Sequence, residues 1–188
     1  MLIFIHGFNS SGNSEKAGRL RAEFPDLQVV TPTCAYVPDK AISDLASQIE
    51  SGLTSGKSIT VVGSSLGGFY AIYLAHRFSL PSILINPLVD QTALRQAIGP
   101  QQNYYTDESY NWTKQHCNQL DRMAIQPEEL TIKPLLLLDE NDEVIDSHHT
   151  IRHFGSLAET RLFPDGSHRF NHMDEALPMM RSYINQAR

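Results

Sequence analysis

Apolar residues along this chain follow two alternating rhythms. Short aliphatic runs at residues 1–6, 27–31, 58–63, 82–86, 134–138 and 160–163 read as strands. Between most of them lie longer windows whose apolar positions recur every three or four residues. In 39–54, Ile42, Leu45, Ala46, Ile49 and Leu53 form one helical stripe behind a Pro38-Asp39 start signal. Window 13–24 is a second helix, and 66–78 is apolar nearly all round through Phe69, Tyr70, Ile72, Tyr73 and Leu74, as a central buried helix should be. Near the end, Met173, Ala176, Leu177, Met180, Tyr183 and Ile184 predict a last amphipathic helix, which Pro178 either starts or kinks. Strand and helix alternating in this way predict an α/β domain with a mainly parallel six-stranded sheet.

One stretch breaks the rhythm. Residues 87–132 are rich in Gln, Asn and Tyr and hold the only tryptophan, Trp112. With no linker, repeat or low-complexity tract on either side, the stretch reads as a cap-like insertion in a single domain spanning 1–188. Its Tyr104, Tyr105, Tyr110 and Trp112 either wall a substrate pocket or anchor the insertion on the sheet.

Composition narrows the function classes. At 188 residues and 41% hydrophobic the chain can bury a full core, and its formal charge of −6 disfavours nucleic acid or an anionic membrane as partner. The opening apolar run has no basic flank and ends at His6, so it reads as a strand rather than a secretion signal, and a cytoplasmic protein is expected. No apolar run approaches the roughly 20 residues of a membrane helix. Cys34 and Cys117 lack zinc or disulfide spacing and are expected to be buried free thiols.

The chemistry concentrates in three places. Between the third strand and the central helix stands Gly63-Ser64-Ser65-Leu66-Gly67-Gly68, a Gly-x-Ser-x-Gly pattern centred on Ser65, with Ser64 out of register. A serine on a sharp strand-to-helix turn is presented at the carboxyl edge of the sheet, and the flanking glycines make room for the turn. A hydroxyl becomes a nucleophile only beside a base that a carboxylate orients. His168, in the turn after the sixth strand, is the candidate base. The acid should follow the fifth strand, where Asp139, Glu140, Asp142, Glu143 and Asp146 compete. Asp142 is favoured, because Val144-Ile145 re-enters the core behind it, and Glu140 is second. Asp146 reads as a helix N-cap and Glu143 as a rim charge. Backbone N–H groups of Leu66 and of Phe8, in the loop His6-Gly7-Phe8-Asn9, are the candidate oxyanion hole, with His6 bonded only within its loop.

Two weaker patterns are set aside. Residues 52–58 imitate a phosphate loop but are one residue short and precede a strand. The pairs His149/His153 and His168/His172 have metal-ligand spacing without a Cys or a suitably placed Glu, so no metal is expected, and His148, His149 and His153 read as a solvated helix face.

Taken in order, His6-Gly7-Phe8-Asn9-Ser10-Ser11, the Ser65 motif, Asn86-Pro87, Asn141-Asp142-Glu143-Val144 and Gly166-Ser167-His168 resemble the small bacterial YqiA-like esterases of the α/β-hydrolase superfamily. Asn141 and Arg169 depart from the residues common at those two places. The resemblance implies a three-layer α/β-hydrolase fold without the first two strands of larger members, and Ser65, Asp142 and His168 as nucleophile, acid and base. The reading is a serine carboxylesterase, free of cofactors, acting on small soluble esters or acyl thioesters. The rivals are a thioesterase or peptidase with the same triad and a binding protein of the same shape.

Overall fold

The computed structural model describes residues 1–187. Six strands, β1 (Leu2–Ile5), β2 (Val29–Val30), β3 (Thr60–Ser64), β4 (Ser82–Ile85), β7 (Leu135–Asp139) and β8 (Glu159–Phe163), form a sheet in the order β2-β1-β3-β4-β7-β8, with every pairing parallel. Successive strand residues point to opposite faces, and the core divides accordingly. Ile3, Ile5, Val61, Leu84, Leu136 and Leu138 face one side, where α2 (Pro38–Thr54) and α3 (Leu66–Phe78) pack. Leu2, Phe4, Val62, Ile83, Ile85, Leu135 and Leu137 face the other, covered by α1 (Glu15–Glu23) and α7 (Met173–Gln186). Strands apolar on both faces are what a parallel sheet between two helical layers requires. The fold is therefore three-layered, as the family resemblance implies, around the parallel sheet that the alternating rhythm predicts.

Three local expectations change. Leu53 is exposed and Gly52 takes the buried place at the end of the α2 stripe, since an added Cβ there would press on Met1 and Ile59 side chains. Pro178 does not start α7; it lies inside the helix, and its missing N–H leaves the Asp174 carbonyl without its usual helical donor. Cys117 is buried but Cys34 is only half-buried, its thiol pushed up to about 12 by desolvation and by the Asp44 carboxylate.

The stretch 87–132 folds into α4 (Thr92–Gln96), an antiparallel hairpin of β5 (Gly99–Gln102) and β6 (Ser109–Trp112), and α5 (Lys114–Asp121). Trp112 is 1% exposed, stands edge-on to Phe8 with ring centroids 5.1 Å apart, and donates its indole N–H to the Leu94 carbonyl at 2.9 Å. It anchors the insertion instead of lining a substrate pocket, because an indole needs both apolar cover and a partner for its N–H. The remaining helix, α6 (Ser147–Phe154), follows β7. No helix among the described residues is long and apolar enough to cross a membrane.

Candidate active site

The carboxyl ends of β1, β3, β7 and β8 converge on one cleft of about 930 Å³. Ser65 stands where β3 turns into α3, with φ 56° and ψ −122°, a conformation that costs a non-glycine residue about 1–3 kcal/mol. The turn is held from several sides. The Ser65 N–H donates to the Ile85 carbonyl at 3.1 Å, and the Ser65 carbonyl accepts from Leu88 at 3.0 Å and Gly68 at 2.8 Å. The glycines have a steric reason to be there: a Cβ on Gly63 would overlap the Gly67 carbonyl, and one on Gly67 would overlap the Ile5 carbonyl.

His168 Nε2 lies 3.0 Å from Ser65 Oγ, and His168 Nδ1 lies 2.9 Å from Asp142 Oδ2. An ionised carboxylate can only accept, so the proton sits on Nδ1 and Nε2 is free to accept from the serine hydroxyl. The Asp142 side chain is 1% exposed. Its Oδ1 accepts from the Val144 and Ile145 backbone N–H groups, each at 2.8 Å, which fixes the carboxylate before the imidazole arrives. Glu140 instead lies 3.8 Å from His148, away from this arrangement, and Asp146 caps α6 by accepting from the His149 N–H at 3.0 Å.

A second carboxylate shapes the site. The β7 strand runs one residue beyond its apolar run to take in Asp139, which is fully buried. Its Oδ2 accepts from Ser167 N at 3.1 Å and Asn171 N at 2.7 Å, and its Oδ1 accepts from His172 Nδ1 at 2.7 Å. His172 also stacks on Phe163, with centroids 5.0 Å apart. Asn86 adds a brace: its side chain accepts from Asp139 N at 2.9 Å and donates to the Ser167 carbonyl at 3.0 Å. Gly166 completes the turn at φ 80°, where a side chain would overlap the Asp139 carboxylate. The turn carrying His168 is therefore clamped from beneath.

Glu143 is more than a rim charge. Its carboxylate accepts from the His168 backbone N–H at 2.9 Å, which lowers its pKa. Neither this contact nor the Asp139 clamp has a local signal, because both join residues 25 or more positions apart to backbone atoms. His168 and His172 are each paired with a separate carboxylate, and no cluster of three or more metal-ligating side chains occurs among the described residues.

The loop after β1 forms the facing edge. His6 is buried, its Nε2 accepting from the Cys34 N–H at 2.9 Å and its Nδ1 donating to the Gly7 carbonyl at 2.8 Å. Burial lowers its pKa, and the Cys34 bond requires the neutral ring. The Phe8 and Leu66 residues both line the cleft. Leu66 is the first residue of α3, so its N–H has no carbonyl one turn earlier to satisfy it. Tyr104, 80% exposed, and Tyr105 stand at the cleft mouth, while Leu88, Ala93, Leu94 and Ala97 from the insertion supply an apolar wall.

Sheet order, the strained serine turn and the placement of the histidine turn together define the α/β-hydrolase fold, and comparison with solved structures agrees. The chain superposes on a monoacylglycerol lipase from Paleococcus ferrophilus with TM-score 0.76 at 14% identity, covering 100% of this chain and 94% of that one. It superposes on ferulic acid-bound Est1E from Butyrivibrio proteoclasticus with TM-score 0.73 at 12% identity, covering 99% and 88%. Among sequences, a protein of Shewanella woodyi is 24% identical and YcfP of Escherichia coli O9:H4 (strain HS) is 22% identical, each match covering 97% of this chain and 98% of the relative. The chain belongs to the Uncharacterised protein family (UPF0227), whose model matches residues 1–185, the YcfP/YqiA-like group that the motifs resemble.

Proposed function

We propose that the protein is a serine carboxylesterase that cleaves small esters or acyl thioesters through an acyl-Ser65 intermediate. The observation that carries this reading is the imidazole of His168 bridging Ser65 Oγ at 3.0 Å and Asp142 at 2.9 Å. As Ser65 Oγ bonds to the substrate carbonyl carbon, its proton passes to His168 Nε2, and the Asp142 carboxylate stabilises the imidazolium. The carbonyl oxygen, now an anion, is met by the N–H groups of Phe8 and Leu66; one such donor is worth about 2.7–4 kcal/mol in serine hydrolases. Collapse breaks the bond to the leaving oxygen or sulfur, which takes the proton from His168. Water then attacks the acyl carbon while His168 removes its proton, and the acid departs as Ser65 Oγ recovers its hydrogen. No cofactor enters the scheme, and residues 87–132 act as a cap over the acyl group.

The test is covalent as well as kinetic. A serine-directed fluorophosphonate should label wild-type protein at Ser65 alone, and Ser65→Ala should lose labelling and at least about 10⁴-fold in kcat. Turnover of esters by Ser65→Ala at the wild-type rate would refute the mechanism. Comparing kcat/KM on matched oxygen-ester, thioester and amide substrates assigns the leaving group.

A further inference from the structure

The cleft has two unlike sides. The insertion presents aliphatic side chains, whereas α1 and the histidine turn present Lys16, Arg19 and Arg169 against a single carboxylate, Glu15. That excess of positive charge stands out in a chain whose formal charge is −6. Arg19 is committed to Asp174. Lys16 and Arg169 are not: neither side chain makes a hydrogen bond or a close ion pair among the described residues. Lys16 is half-buried on the first turn of α1; burial lowers its pKa and the Arg169 guanidinium adds to that, while the Glu15, Asp139 and Asp142 carboxylates act the other way. Beside them, the buried Ser14 hydroxyl, which also belongs to a cleft-lining residue, has no partner. The half-buried Lys16 and the exposed Arg169 thus line the cleft with no hydrogen-bond partner, and an anion there would give each a charge-assisted one.

The side on which they sit determines which part of the substrate is charged. A histidine that protonates the leaving group has that group on its own side, and Arg169 directly follows His168. We propose that the substrate's leaving alcohol or thiol carries a phosphate or carboxylate held by Lys16 and Arg169, while its acyl part is uncharged and lies along Leu88, Ala93, Leu94 and Ala97. This rests on the esterase reading above and adds the substrate class.

Matched butyrate esters provide the test. The alcohols are 2-hydroxyethyl phosphate, glycolate and neutral ethylene glycol, and ethyl hydrogen succinate places a charge on the acyl side. Wild-type protein should favour a charged alcohol over the neutral one by at least about 10-fold in kcat/KM, the phosphate and carboxylate arms deciding between the two anions. Ethyl hydrogen succinate should gain nothing over its diethyl ester. In Lys16→Met and Arg169→Gln that ratio should fall toward one, and raised salt should lower it in the wild type; as a ratio, it is insensitive to any general loss of activity. Lys40→Met, which alters a lysine paired with Asp44, should leave the ratio unchanged. A wild-type ratio near one, or a ratio untouched by either cleft substitution, overturns the inference while ester turnover still supports the enzyme. Titration of Ser65→Ala protein with free 2-hydroxyethyl phosphate or glycolate separates the two ideas. Binding that weakens at least about 10-fold on adding Lys16→Met upholds the anion site even if no ester is ever hydrolysed, and absence of binding by both this phosphate and free glycolate refutes it.

Discussion

Asp142→Asn separates the orientation of the imidazole from the integrity of the fold. Asp142 Oδ1 accepts both the Val144 and Ile145 N–H groups at 2.8 Å, while His168 Nδ1 lies 2.9 Å from Oδ2 and 3.0 Å from Oδ1. In the asparagine variant the amide oxygen must stay on the two backbone donors, so the amide NH₂ replaces Oδ2. A donor then takes the nearer of the two places that face Nδ1 and crowds its N–H. The ring responds by carrying its proton on Nε2, where it points at Ser65 Oγ and can no longer accept. In serine hydrolases with this arrangement the same change costs about 10⁴ in kcat, or about 5.4 kcal/mol of barrier. Stability should barely move, since no volume is lost and both backbone donors stay satisfied. Asp142→Ala should differ: it strands two N–H groups and should destabilise the protein by about 1–3 kcal/mol as well as lowering the rate. Steady-state ester hydrolysis beside thermal unfolding of both variants is the assay. A folded Asp142→Asn protein retaining more than a tenth of wild-type kcat would refute the tautomer argument.

Other predictions rest on separate parts of the structure. Asp139→Asn keeps one oxygen and turns its NH₂ either on the Ser167 and Asn171 N–H groups or on His172 Nδ1; it should lower the melting temperature by about 5–10 °C and kcat by at least about 10-fold, and an unchanged melt would show that the clamp beneath His168 carries no stability. Gly67→Ala drives a Cβ into the Ile5 carbonyl and should destabilise by more than about 4 kcal/mol, so a variant melting like the wild type would disprove the close approach of α3 to β1. His6 has a folded-state pKa below its ordinary 6.5, so the unfolded chain takes up a proton that the folded ring refuses. The resulting stability is complete above about pH 6.5 and is lost as pH falls below it; unfolding free energies across that range should slope less steeply in His6→Gln than in the wild type, and equal slopes would count against the neutral buried ring.

The four inner strands were legible because parallel strands buried on both faces are near-continuous apolar runs, and the two edge strands, at 29–30 and 159–163, were legible from shorter β-type runs in the same alternation. The hairpin at 99–112 was not. Its strands carry Pro100, Gln101 and Gln102 against Ser109, Tyr110 and Asn111, a polar mixture with no clear period, and only the paired backbone reveals it. Trp112 illustrates the same gap, since an aromatic residue in a polar stretch suits a pocket wall and an anchor equally until its burial is known. Ser65, Asp142 and His168 could be proposed from order and spacing because each follows a strand end, where the parallel topology must gather loops. Asp139 and Glu143 could not be singled out within a run of carboxylates, because what distinguishes them is which distant N–H each meets.

The β5–β6 hairpin is tied to the loop that holds Phe8. Asn9 donates to Gln101, accepts from the Tyr110 hydroxyl and, through its carbonyl, from the Tyr104 N–H, while Asn103 donates to the Ser10 carbonyl. The hairpin is thus not an independent module that evolution or an engineer could exchange freely. Grafting a relative's hairpin onto this scaffold would transfer its preferences only if the partners of Asn9 and Ser10 travelled with it.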